Sequence, residues 1–134
     1  MNRKEVLIAR GLMAFRQQIE DAGGVYTTQQ VTELLGITPG DVRKRLERGR
    51  LLAVSMGEGT SYPVWQFDDK GVIERFADIM AMISTTSPVG MVQFFLTHDE
   101  DMGKTPVEAL KGGDPKQLKM VKILAQQFNQ QVAR

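Results

Sequence analysis

The stretch Thr27–Gly49, TTQQVTELLGITPGDVRKRLERG, holds two helix starts and two helix stops within 23 residues. No other part of the chain limits the fold as tightly. Thr27 is placed to cap a helix, with Gln30 at the reciprocal position three residues on. Val31, Leu34 and Leu35 then fall on one helical face. Gly36 ends that helix, because the chain must turn left-handed there and glycine does so without a steric penalty. Thr38 starts a second helix. Pro39 takes its first position and Asp41 its third, where a carboxylate suits the positive end of the helix dipole. Ile37 and Val42 are spaced as a hydrophobic staple, and Gly49 closes the helix. Two helices of about two turns each, joined by a glycine turn, predict a helix-turn-helix. Val31, Leu35, Ile37 and Val42 supply its inner contacts, and Leu46 packs inward beside Arg45.

The second helix carries an uneven charge. Arg43, Lys44, Arg45, Arg48 and Arg50 stand within eight residues of a chain whose net charge is only +1. Such a chain has no overall field for a polyanion, so any affinity of that kind must be local. At about 100° per residue, Val42, Leu46 and Gly49 share the core side. Gly40, Lys44, Glu47 and Arg48 point away, with Arg43 and Arg45 on the flanks. A solvated helix face has this composition too. A major-groove helix needs more: cations for guanine edges and phosphates, and room for close approach. The candidate DNA-binding residues are therefore Thr28, Gln29, Thr38, Gly40, Arg43, Lys44, Arg48 and Arg50. Arg43 and Lys44 are placed to read bases; Arg48, Arg50, Thr28 and Gln29 are placed to hold phosphates.

After Arg50 the period changes. Leu52, Val54 and Met56 alternate, GEGTS makes a turn, and Tyr62–Phe67 returns. This predicts a β-hairpin wing, with Pro63 on an edge strand. Asp68 or Asp69 is expected to cap a helix whose stripe is Val72, Ile73, Phe76, Ala77, Ile79, Met80 and Ile83. STTSP, Ser84 to Pro88, reads as a linker. Beyond it, Thr105, Pro106 and Glu108 form a second cap-and-proline start, and Asp114-Pro115 opens a last helix with Leu118, Val121, Leu124, Ala125 and Phe128 inward. The N-terminal segment, with Val6, Leu7, Met13, Phe15 and Ile19 at helical spacing, ends at Gly23-Gly24.

These elements predict a mainly α fold with a small β-hairpin: a helix over 1–24 as a candidate dimerisation element, a winged unit over 25–83, and a helical protein-binding unit over 87–134. The chain has no cysteine, which excludes a disulfide framework and thiolate metal sites. No signal-peptide core or membrane-length run is present, so a cytoplasmic protein without a membrane role is expected. The one histidine, His98, lies in an acidic loop with no nucleophile or orienting partner, so no catalytic constellation, metal or cofactor is expected.

The segment TTQQVTELLGITPGDVRKRLERGRLLAV with YPVWQFD resembles the winged helix-turn-helix of excisionase and MerR-like DNA-binding domains, over about residues 26–83. The resemblance implies that the 39–48 helix reads the major groove of double-stranded DNA and that the 51–67 hairpin flanks it. FFLTHDEDMGKTPVEALKGGD, Phe94 to Asp114, resembles the toxin-binding domain of the Xre/MbcA/ParS antitoxins. The shared features are Phe94, Phe95, Gly103, Lys104, Thr105 and Pro106, then Ala109-Leu110. That resemblance implies that these residues bind a partner, a RES-domain toxin that consumes NAD, and that the protein represses its own operon. The glycine-bearing segment that follows the last helix in that family has no counterpart in QQFNQQVAR. Two readings follow: a dimeric, autoregulatory DNA-binding regulator, or an antitoxin-like module whose main partner is a protein.

Overall fold

The computed structural model describes residues 2–55, 57, 59–83 and 87–132, with side chains as far as Phe128. Met56, Glu58 and most of the STTSP segment lie outside the described residues. Helices dominate, with a small antiparallel sheet and a separate short hairpin.

Helix α1 (Arg3–Asp21) starts on a reciprocal cap: Asn2 Oδ1 accepts the Glu5 N–H at 2.8 Å and Glu5 Oε2 accepts the Asn2 N–H at 3.2 Å. Strand β1 (Val25–Tyr26) follows the two glycines. Helix α2 (Thr28–Leu35) and helix α3 (Pro39–Glu47) are capped by Thr27 and Thr38 as the spacing predicts. Between them Gly36 is left-handed, at φ 67°. Val31 and Val42 are fully buried beneath the pair, with Leu35, Ile37 and Leu46 packed against them. Leu34 is not part of that face: it is 41% exposed. Gly49 is exposed as well, so the core side of α3 rests on Val42 and Leu46.

Strands β2 (Val54–Ser55) and β3 (Thr60–Pro63) form the expected hairpin, and β1 joins it in the order β1-β3-β2. β3 is therefore central, contrary to the edge position expected for Pro63. Pro63 pairs only with Val25, while β2 ends its pairing at Ser61, so the missing N–H falls where one neighbour is absent. The return limb does not run on to Phe67. Val64–Gln66 coils into a 3-10 turn, and Phe67–Asp68 (β4) pairs with Gly71–Val72 (β5) instead. Asp68 caps no helix; its Oδ1 accepts the Lys70 N–H at 2.9 Å and turns that second hairpin. Helix α4 (Phe76–Met82) begins later, on Arg75.

The 3-10 turn aims Gln66 inward. It is a fully buried polar side chain, and backbone groups satisfy it. Its Oε1 accepts the Leu52 N–H at 2.9 Å, and its Nε2 donates to the Leu52 carbonyl at 2.8 Å and the Pro63 carbonyl at 3.1 Å. The amide thus clasps the two limbs of the hairpin at their base.

Helices α5 (Pro88–Leu96), α6 (Pro106–Gly112) and α7 (Pro115–Val132) complete the described chain. They do not pack apart from the preceding elements. Trp65, Phe76 and Phe95 stack together, with the Phe76 and Phe95 centroids 4.5 Å apart. One buried cluster runs from Ile19 through Leu52, Trp65, Phe76 and Phe95 to Val121 and Ala125. The three segments read from the sequence meet in that core.

Candidate nucleic-acid interface

Helix α3 is fixed from below by Val42 and from its start by Thr38. The Thr38 Oγ1 accepts the Asp41 N–H at 3.1 Å, and Asp41 Oδ2 accepts the Thr38 N–H at 3.4 Å. What this anchoring leaves outward is the cationic face. Arg43, Lys44, Arg48 and Arg50 are exposed, as are Gln29, Thr38 and Gly40, while Thr28 is half-buried. Beyond α3's own backbone, a Cβ at Gly40 would have only the Thr38 Oγ1 near it among the described residues, 3.7 Å away, so the first turn of α3 is open to close approach.

Three guanidinium-bearing side chains converge beside this helix. Arg45, Arg50 and Arg75 line one hollow of about 240 Å³, with Asp78, Val72 and Ile73. The sequence reading gave Arg45 only a flanking place and missed Arg75. Nothing near Arg75 in the sequence marks it, since it stands 25 positions after Arg50. Its backbone does mark it: φ is 72°, the left-handed region that a side chain with a Cβ rarely adopts. Arg48 lies elsewhere, on the rim of an apolar recess with Leu46, Leu51 and Met91.

The capping carboxylates respond to acid. The Thr38 hydroxyl, then the Thr38 N–H, holds Asp41 below its ordinary value of 3.8. In α6 the Thr105 N–H, then its hydroxyl, holds Glu108 below its ordinary value of 4.5. Both are depressed on folding. Their stabilisation is therefore complete above the ordinary values and is lost as pH falls through the lower folded ones. The double variant Asp41→Asn/Glu108→Gln is expected to be less stable than the parent in urea at about pH 7, and by a smaller margin at about pH 3. An equal gap at both would remove the caps as the cause.

The residues expected to bind a protein partner do not form one surface. Phe95 is fully buried in the aromatic stack, out of a partner's reach. Phe94 and Pro106 are also buried, but both line a groove of about 550 Å³ with His98, Leu124 and Phe128. Thr105 caps α6 and lines a different recess with Gln18, Asp21 and Lys111. Gly103 is exposed and left-handed, and the Lys104 carbonyl accepts the Asp99 N–H at 3.0 Å, so these two shape the loop. Asp99 Oδ2 accepts the Met102 N–H in the same loop. Among the described residues no group of three or more His, Asp or Glu side chains could hold a metal ion. No helix among them is long and apolar enough to cross a membrane.

The chain matches no known family profile and no curated protein. Among solved structures it is similar to the NMR structure of Rv2175c, with a TM-score of 0.69 and 22% identity over 78% of this chain and 80% of that one. At that identity the likeness is one of fold: mainly helical with a small antiparallel sheet.

Proposed function

We propose that this chain is a sequence-specific, double-stranded-DNA-binding regulator. In this reading α2 and α3 act as a helix-turn-helix, α3 enters the major groove, and the β2–β3 hairpin flanks it as a wing. One observation carries the proposal: with Val42 fully buried beneath α3, Gly40, Arg43 and Lys44 on the helix and Arg48 and Arg50 just past its end are all exposed. Arg43 and Lys44 are the base readers. Arg45, Arg50 and Arg75 border one hollow that would take a backbone phosphate beside Asp78, and Arg48 offers a further phosphate contact. Autoregulation is the form of regulation that the antitoxin-like C-terminal sequence suggests. A second reading, a module that binds a RES-domain toxin, draws on the groove lined by Phe94, Pro106 and Phe128.

The test is binding to a labelled fragment of the chain's own upstream region, beside unrelated DNA, at several salt concentrations. Two phosphate contacts predict a log–log slope of about −2 per subunit engaged, with tighter binding to the specific fragment. No binding to either DNA would return the cations to an ordinary solvated face.

A further inference from the structure

Helix α1 is anchored at one end only. Ile19 is fully buried and Phe15 packs against the core, yet no residue from 3 to 14 is buried. Of the seven large apolar side chains exposed among the described residues, four fall in that free half: Leu7 (56%), Ile8 (54%), Leu12 (54%) and Met13 (70%). A free helix of about 12 residues is marginal in water. This one also carries Gly11, which disfavours helix, and beyond its own helix backbone nothing among the described residues lies within 4 Å of where its Cβ would be. Leu7 points about 140° away from Leu12, but Ile8, Leu12 and Met13, with the helicity itself, call for a covering surface that the described residues do not supply.

The charges say what that surface is. At about 100° per residue, Glu5, Ala9, Leu12 and Arg16 share an arc of about 60°. The arc is centred roughly a quarter turn from the side that Phe15 and Ile19 bury. Glu5, Leu12 and Arg16 are exposed along it. The seam reads acid, apolar, apolar, base. Two such seams laid parallel would set Glu5 on Glu5 and Arg16 on Arg16. Laid antiparallel about a two-fold axis, they set Leu12 against Ala9 of the partner subunit and Glu5 against Arg16 of the partner subunit, twice over. The Asn2 N–H engages Glu5 Oε2, which leaves Oε1 for the guanidinium. Ile8 and Met13 close over the seam from either side.

We infer that the chain forms a two-fold dimer through an antiparallel α1–α1 pair built on Ala9 and Leu12 and keyed by Glu5 and Arg16. The inference rests on α1 alone and holds whether or not the protein binds DNA. The test is sedimentation equilibrium of the full chain without DNA, with circular dichroism to confirm that each variant folds; Glu5, Leu12 and Arg16 are all exposed, so each should. The wild type is expected to be dimeric at tens of micromolar, and Leu12→Asp monomeric. Glu5→Arg and Arg16→Glu should each weaken association about tenfold, since each replaces two attractive pairs with repulsive ones. The double variant Glu5→Arg/Arg16→Glu should return to within about threefold of wild type. A monomeric wild type, a dimer indifferent to Leu12→Asp, or a double variant no better than the singles would each overturn the proposal.

Discussion

Replacing Arg43 and Lys44 together with alanine is expected to remove the preference for specific DNA while leaving the fold intact. Both side chains are exposed, so the substitution opens no cavity, and alanine favours helix. Each base contact from such a residue is worth about 1–3 kcal/mol of discrimination. Two of them lost per subunit predict a fall in specific affinity of at least about thirtyfold, with unrelated DNA changing far less. Arg50→Ala gives the contrast. Arg50 sits in the hollow with Arg45 and Arg75, so its loss should weaken both DNAs alike and lower the salt slope by about one. The paired measurement separates reading from holding. If the Arg43/Lys44 variant still preferred its upstream fragment, α3 would not be the reading helix.

The largest effect on stability is expected at Gln66. Gln66→Met keeps the volume nearly constant but strands the Leu52 N–H, the Leu52 carbonyl and the Pro63 carbonyl, all on buried residues. Leaving a buried polar group unpaired costs about 1–3 kcal/mol. The expected loss is about 3 kcal/mol or more, which for a chain this size lowers Tm by about 10 °C. Against a typical total of about 5–15 kcal/mol, that is a large share. Gln66→Glu should fare no better at neutral pH, since its carboxylate would face two carbonyl oxygens. A Gln66→Met protein within about 1 kcal/mol of wild type would show that the clasp contributes little.

The helix starts were legible because capping is local. Thr27 with Gln30, Thr38 with Asp41 and Thr105 with Glu108 each close within three residues, and each forms as the sequence predicts. The strands were less legible. β1 has two residues and exists because β3 lies beside it, a partner 36 positions away at Tyr62. The 3-10 turn at Val64–Gln66 depends on burying Gln66 against Leu52, which no local pattern signals. The same distance problem affects the candidate site. The run Arg43–Arg50 is contiguous and visible, but Arg75 reaches the same hollow only through the β4–β5 turn and the start of α4. Phe95 shows the opposite failure: an aromatic beside a polar loop reads as a contact for a partner, yet its position against Trp65 and Phe76 makes it core.

The undivided core bears on how a chain like this can be rearranged. Ten of the buried side chains in the main cluster, from Met91 to Ala125, come from the last three helices and the loop that carries Met102, and eight, from Leu52 to Ile83, from the segment that carries the basic face. Neither set can be excised without leaving the other's apolar surface in water. The basic face is therefore a poor candidate for transfer by recombination: a gene fragment ending near residue 83 would encode α3 intact yet leave Trp65 and Phe76 uncovered. Lineages that keep this face should keep the last three helices with it, and change in one half should be matched by compensating change across Trp65, Phe76 and Phe95.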